Sequence, residues 1–447
     1  MRMLLKKGTC LSFITSQLPT LVTVIIWSTM IMYFQYVDPY LAISRCEFPK
    51  VDSAGKKLQF SKVLLIADPQ LIDQHTYPSR SSVLLKLSKL TVDNYIYKNY
   101  ISLIRILEPD MIVFLGDLMD NGRESSDDYY EGEFGRFNRI FLNPIKSRQI
   151  EVITGVPGNH DIGWANGVTQ HSLERFNRHF GASNKLINLQ NHDLILLDDV
   201  TMTNTENESL SRPIYDFLKG MRSSPKQRTR ILMQHVTLWR DHNVKTCGPE
   251  RESKNLFPIS KGYQYQTVID EAHSMDILKS VKPDIVFNGD DHDYCEVVHT
   301  YDDDDGIERS SLDINVKSMS MAMGIWKPAV ELLTLYHDPV ELKADWVRNG
   351  QILKHKGEQL DYSFDTCYLA APYTDVALYI TLAVVTSLWI LANSVQHKKR
   401  YVSLTEQTVY ENSVIKIIQS IAWYRFLRLA AINFMIVLGL YLAATFV

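Results

Sequence analysis

Residues 151–161 read EVITGVPGNHD. A short β-branched, apolar run stops abruptly at glycine, asparagine, histidine and aspartate. Runs of four to six such residues bounded by Gly or Pro read as buried strands, so the polar group stands at a strand's end. The arrangement recurs along the chain. VLLIA (63–67) runs into Asp68-Pro69-Gln70, and IVFL (112–115) into Gly116-Asp117. ILMQ (231–234) runs into His235, IVFN (285–288) into Gly289-Asp290-Asp291-His292, and LILL (194–197) into Asp198. Helical patterns lie between several of these runs. Asn94–Leu107 carries apolar residues at spacings of three and four and stops before Pro109; Gln266–Val281 stops before Pro283. Strands alternating with helices predict a layered α/β domain.

In such domains the carboxyl ends of strands form the ligand crevice. Each motif alone is weak, because an Asp after a strand is commonly a turn or cap residue and a lone His is commonly a satisfied polar residue. The ordered series of Asp, Gly-Asp, Gly-Asn-His-Asp, His and Gly-x-x-His is far more specific than its parts. It gathers carboxylates, an amide and imidazoles, the donors a divalent cation takes.

Composition narrows the class. The 447 residues include 45% hydrophobic and 22% charged, with net charge −4. This excludes wholesale disorder and gives no reason to expect a nucleic-acid partner. Five cysteines are too few for a disulfide-built scaffold. The apolar residues are unevenly spread: no Asp, Glu, Lys or Arg occurs at 8–37, 376–396 or 429–447. The core of the first stretch, 18–37, and each of the other two are about the 20 residues that cross a bilayer. A cleaved signal peptide would have a shorter apolar run and a small-residue cleavage site, so the first stretch reads as an anchor. The expected layout is a cytosolic N-terminus (1–17), span one (18–37), a lumenal domain (38–375), span two (376–396), a cytosolic loop (397–426) and span three (427–447). Arg2, Lys6, Lys7, Lys398, Lys399, Arg400, Arg425 and Arg428 set this orientation. Absence of charge in 18–37, 376–396 and 429–447 argues against an ion path.

A lumenal middle agrees with the sequon at Asn207 and with four cysteines on that side. Four cysteines admit three full pairings, and free buried thiols are the alternative. Cys46 follows span one and Cys367 precedes span two, which favours Cys46 with Cys367 and leaves Cys247 with Cys295. The run Asp302–Asp305 reads as an exposed acidic hairpin tip.

The motif series resembles the calcineurin-like metallophosphoesterase family, over roughly Lys62–Leu335. The resemblance implies a four-layer sandwich, two mixed sheets flanked by helices, holding two divalent metal ions; here it would carry three transmembrane helices as well. By position, Asp68 and His292 would bind one metal, Asp117 would bridge both, and Asn159 and His235 would bind the second. His160 would be the catalytic acid beside the leaving group. Paired cations need a bridging carboxylate to offset their repulsion, and they lower the pKa of bound water.

Two positions depart from the family pattern. Gln70 stands where it has a His, and Asp290 where Gly-His-x-His has its first His. Both can still offer oxygen, so the shell Asp68, Gln70, Asp117, Asn159, Asp290, His235 and His292 is oxygen-rich and suits manganese. The strings PQLIDQHTYP (69–78), DLMDNGRE (117–124), CGPERE (247–252), DDHDYCEV (290–297) and SMSMAMGI (318–325) look like one branch. It is the fungal endoplasmic-reticulum, cell-division-cycle type, related to the animal post-GPI-attachment-to-proteins factor five. That resemblance implies removal of an ethanolamine-phosphate branch from a mannose of GPI anchors, in the endoplasmic-reticulum membrane. The substrate would be GPI-anchored proteins or GPI glycolipid, with cargo-sorting receptors as further partners. Arg123 and Arg240 are candidate phosphate clamps and Trp239 a candidate stacking residue; surface pairing and packing are the plainer alternatives. Competing functions are hydrolysis of another phosphoester and a non-catalytic sorting or metal-sensing scaffold.

Overall fold

Alternate residues of the first strand face different cores. Val63 and Leu65 belong to one buried cluster, Leu64 and Ile66 to another. A strand with both faces covered needs the continuous apolar run seen in the sequence. The computed structural model describes residues 20–50, 58–348, 350–402 and 422–445, without the side chains of 395–402. The expected cytosolic segment 1–17 and most of 397–426 lie outside the described residues, as do the side chains of Lys398, Lys399 and Arg400.

In chain order the strands are β1 (Phe60–Ile66), β2 (Met111–Phe114), β3 (Glu151–Ile153), β4 (Lys185–Leu189), β5 (His192–Leu196), β6 (Thr229–Met233), β7 (Lys261–Gly262), β8 (Tyr265–Gln266), β9 (Ile285–Asn288), β10 (Cys295–Asp302), β11 (Glu308–Asn315), β12 (Ala329–Glu341), β13 (Trp346–Arg348), β14 (Gln351–Lys354) and β15 (Gln359–Tyr368). One sheet has the order β15-β12-β1-β2-β3 and the other β10-β11-β9-β6-β5-β4. β1, β2 and β3 run parallel, as do β5, β6, β9 and β11, while β12 and β10 pair antiparallel with their neighbours. Val63, Leu65 and Val113 from the first sheet meet Ile231, Met233, Phe287 and Ile314 from the second, forming the inner layer. The outer faces carry helices. Leu64 and Phe114 share a cluster with Tyr100 and Leu103 of helix Ser82–Leu107. Leu232 and Val286 share it with Leu218 of helix Glu208–Ser223 and Ile277 of helix Glu271–Val281. These are the four layers of the expected sandwich.

Three local expectations need correction. The first helix begins at Ser82, not Asn94, capped by Ser81. Its opening turns expose Val83, Leu84 and Leu87, so the apolar periodicity starts only where burial does, near Val92. The other helix begins at Glu271, capped by Asp270, because Gln266 is spent on the small β7–β8 hairpin. The acidic tip is not simply solvated. Asp303 is buried and accepts from Arg309 Nε and from the amides of Asp305 and Ile307.

The chain divides into two units. The layered unit, Tyr40–Ala370, carries two disulfides, Cys46–Cys367 and Cys247–Cys295; the first links residues 321 apart. The other unit is helical. Its described helices, together with the turn that continues the first, give three stretches long and apolar enough to cross a membrane: Thr20–Ile43, Pro372–Ser394 and Trp423–Ala444. Within it Trp27 donates to Thr386 Oγ1 and stacks on Tyr379.

Glu331 on β12 is fully buried, with Oε2 bonded to Thr366 and Oε1 unpartnered. Burial pushes its carboxyl from 4.5 up to about 8. A folded-state pKa raised in this way makes stability fall as pH rises from about 4.5 through about 8. We expect Glu331→Gln to flatten that slope, because an amide stays neutral across the range in which this carboxyl titrates. Urea unfolding at several pH values checks this; an unchanged slope counts against it.

Candidate metal centre

The parallel strands of both sheets end on the same side, and their last residues turn sharply into one another. Asp68, Gln70, Asp117, Asp290 and His292 all hold positive φ, from 30° to 67°. Such backbone is rare for non-glycine residues and collects at functional sites. Hydrogen bonds lock the turns together. Gln70 N donates to Asp117 O, Gly289 N to His235 O and Ser318 N to His292 O. Ser318 Oγ also donates to Asp68 O, so this serine links the turns of Asp68 and His292.

Glycine is required where backbones nearly touch. A Cβ on Gly158 would lie 2.1 Å from Asp117 Oδ1, and one on Gly116 2.4 Å from His235 Nδ1. Gly116 also has φ +93°.

The predicted ligands come together. Ligand atoms of Asp68, Asp117 and His292 lie within 4.8 Å of one another. His235 Nε2 lies 3.3 Å from Asn159 Oδ1, 3.4 Å from Asp117 Oδ1 and 3.7 Å from Asp290 Oδ1. Its Nδ1 is 2.8 Å from the Leu115 carbonyl. A carbonyl only accepts, so Nδ1 carries a proton and Nε2 is the nitrogen left for a cation. Gln70 Nε2 donates to Asp120 Oδ1, which turns Oε1 the other way. That Oε1 and Asp68 Oδ2 are buried with no hydrogen-bond partner. Unpartnered buried oxygens are costly, and a divalent cation satisfies both. The donor set therefore fits metal: carboxylate and amide oxygens with imidazole nitrogens.

The electrostatics agree. Burial drives the Asp68 carboxyl well above its usual value and Asp290 up to about 7. Burial would lower His235, but Asp117, Asp68 and Asp290 outweigh it and hold it well above 6.5. Burial would raise Asp117, but His235 and His160 hold it below the carboxylate range. His292, with burial dominant, falls to about 4 and so keeps a free lone pair. Burial is the largest influence on all five groups, and the attraction between the carboxylates and the histidines overrides it only at Asp117 and His235.

His160 sits beside this cluster, Nδ1 2.7 Å from the Asp120 carbonyl and 3.4 Å from Asp120 Oδ1. Burial lowers it, but Asp117 and Asp120 outweigh that and raise it to about 9. The sequence reading missed Asp120, which also accepts from Gln70 and Thr76 and faces His75. It gave no role to Asp161, whose carboxylate accepts from the amides of Leu118, Met119 and Gly158 and so fixes the turn after Asp117. Asp199, which accepts from the amides of His235 and Val236, was missed too. Asp161 lies in the helical turn Asn159–Ile162, Asp199 opens the helical turn Asp199–Met202, and Asp120 follows six residues after β2, so proximity to a strand end is all the sequence offered.

Arg240 is not a phosphate clamp. It is fully buried and paired with Asp313, beside the Cys247–Cys295 disulfide. Arg123 is half-buried at the site's edge, but its Nη1 is engaged by the carbonyls of Asn159 and Gln264. Trp239 packs against the disulfide cluster and lines a cavity of about 290 Å³ whose walls contain none of the predicted ligands. Asn207 is exposed and caps helix Glu208–Ser223.

Comparison with known proteins agrees with this geometry. Residues 61–294 match the family described as calcineurin-like phosphoesterase. Cell division control protein 1 of Saccharomyces cerevisiae is 37% identical over 359 residues, covering 80% of this chain and 70% of that protein. Metallophosphoesterase 1 of Xenopus laevis is 24% identical, covering 82% and 87% respectively. The Mus musculus protein of that name is 26% identical over 62% and 72%.

Gly158→Ala tests the packing of the site. The added methyl must displace Asp117, and a misplacement near 1 Å commonly costs about 100-fold in rate. We expect that loss in divalent-metal-supported hydrolysis of a generic aryl phosphoester, with an unchanged far-ultraviolet circular dichroism spectrum. Full activity in the variant would contradict the close approach of Gly158 to Asp117.

Proposed function

This chain belongs to the calcineurin-like phosphoesterase family, and we propose that it is the GPI-glycan phosphodiesterase of the endoplasmic reticulum, removing an ethanolamine-phosphate branch from a mannose. The phosphoesterase chemistry rests above all on one observation: the unpartnered, buried Asp68 Oδ2 and Gln70 Oε1 facing the cluster of Asp117, Asn159, His235, Asp290 and His292. Asp68, Gln70 and His292 would hold one ion, Asn159, His235 and Asp290 the other, and Asp117 would bridge them. Two bound divalent ions supply Lewis acidity and an activated water. The oxygen-rich donor set favours manganese over zinc.

The chain's own residues do the remainder. Asp120 holds His160 by Nδ1, so His160 Nε2 is the atom that donates a proton to the departing oxygen. Asp161 and Gly158 keep Asp117 in place, and Asp199 does the same for His235.

The substrate assignment has separate support. The strings around Gln70, Asp290 and Ser318 look like the GPI-remodelling branch of the family. Three apolar helices suit an enzyme tethered beside a membrane-bound substrate, which it meets at high effective concentration. Two disulfides in Tyr40–Ala370 suit a lumenal, oxidising location for that unit, with GPI-anchored proteins or GPI glycolipid as substrate and sorting receptors downstream.

Mass spectrometry of GPI glycans tests this. Cells lacking the protein, or carrying Asp117→Asn, should accumulate mannose still bearing the ethanolamine-phosphate branch, and wild type should clear it. An unchanged set of branches overturns the substrate assignment. Full biological rescue by Asp117→Asn favours a non-catalytic scaffold instead.

A further inference from the structure

An asparagine can face a cation in only one useful way. Its Oδ1 attracts the ion, and its Nδ2 repels it. Asn159 lies on a single helical turn, Asn159–Ile162, too short to fix its amide. The constraint comes from elsewhere. The β7–β8 hairpin, about a hundred residues later in the chain, places the carbonyl of Gln264 3.0 Å from Asn159 Nδ2. A carbonyl takes only a donor, so the amide is turned with Nδ2 outward and Oδ1 toward His235 Nε2.

The hairpin is seated with several contacts. Gln264 holds φ +59° at its tip. The Gln264 Oε1 accepts from Trp164 N at 2.8 Å. Its side-chain amide lies in a notch made by two glycines: a Cβ on Gly163 would lie 2.9 Å from Oε1, and one on Gly167 2.1 Å from Nε2. Arg123 Nη1 spans the carbonyls of Asn159 and Gln264. Next to Gln264, Tyr263 donates to Glu124 at 2.9 Å. At the hairpin's base Ile269 N donates to Thr237 O, two residues past His235. The hairpin thus bridges the turn that carries Asn159 and the turn that carries His235.

We propose that the Lys261–Gln266 hairpin is a positioning element of the metal centre, with Gln264 locked into the Gly163–Gly167 notch so that its carbonyl orients Asn159 toward a divalent cation. The proposal rests on the reading of Asn159 as a metal ligand. It makes Gln264, Gly167 and Arg123 determinants of metal affinity although none of them is itself a ligand. Partners of this kind commonly change metal affinity about 10–100-fold when removed.

The test is a calorimetric titration of the purified full-length protein with Mn²⁺ alone, together with the unfolding temperature of the metal-free protein. Gln264→Gly suits the positive φ and removes the side chain. Gly167→Ala pushes first against the Gln264 side-chain amide, whose Nε2, Oε1 and Cδ are the atoms nearest the added Cβ. Gln264→Glu keeps the acceptor for Trp164 N. Asn159→Ala reports on the ligand itself. We expect Gln264→Gly and Gly167→Ala each to weaken Mn²⁺ binding about 10–100-fold with the metal-free unfolding temperature unchanged, and Gln264→Glu to stay near wild type. If Asn159→Ala loses Mn²⁺ affinity while Gln264→Gly and Gly167→Ala keep it, the hairpin's role is overturned and the metal centre stands. If affinity and metal-free unfolding temperature fall together in both hairpin variants, the role is purely structural and the proposal is again overturned. If Asn159→Ala binds Mn²⁺ as tightly as wild type, the ligand reading itself fails.

Discussion

Two buried carboxylates, Asp68 and Asp117, and the partly buried Asp290 crowd around the single imidazole of His235. Their repulsion in a dry site is the constraint on which the surrounding structure depends. Left to itself such a cluster takes up protons, which is why Asp68, Asp290 and His235 all have raised pKa values. The scaffold must therefore hold like charges together by force. It does so with two sheets whose parallel strands end at one place. Left-handed turns, glycines that let backbone and carboxylate touch, and the amide-binding carboxylates Asp161 and Asp199 complete the clamp. A divalent cation relieves the repulsion and satisfies the two orphaned oxygens at once.

The two departures from the family pattern fall on this constraint. With histidines in place of Gln70 and Asp290, the cluster would have two carboxylates rather than three. Gln70 supplies an oxygen without adding charge, and its Nε2 is occupied by Asp120, which also positions His160. One substitution thus ties the metal-facing side of the site to its acid side. Asp290 does add charge, and its amide donates to Asp68 Oδ1, a partial compensation built into the turn.

The legible half of the fold was the parallel half. Strands β1, β2, β5, β6 and β9 each carry an apolar run buried on both faces, β3 buries only its last residue, Ile153, and their ends announced the site. The strands of the antiparallel half were not picked out. Buried polar residues interrupt β11 and β12: Asp313 and Asn315 join a network with Arg240, Asn288 and Thr237, and Glu331 interrupts β12. That network also explains why Arg240, which reads as an exposed anion binder, lies in the core. The ligands were legible because they recur in order at strand ends. Asp120, Asp161, Asp199 and Gln264 were not, because they act on backbone amides, carbonyls and side-chain orientation, which have no sequence periodicity.

The central claim is that this crowded site is a two-ion centre in which Gln70 and Asp290 take the places of histidines. Anomalous diffraction at the manganese edge, from crystals of the protein grown with Mn²⁺, tests it most directly. The account predicts two anomalous peaks bridged by Asp117, with Gln70 Oε1, Asp68 and His292 on one ion and Asn159 Oδ1, His235 Nε2 and Asp290 on the other. A single peak, or a pair of ions with Gln70 Oε1 and Asp290 both outside coordination distance, would contradict it.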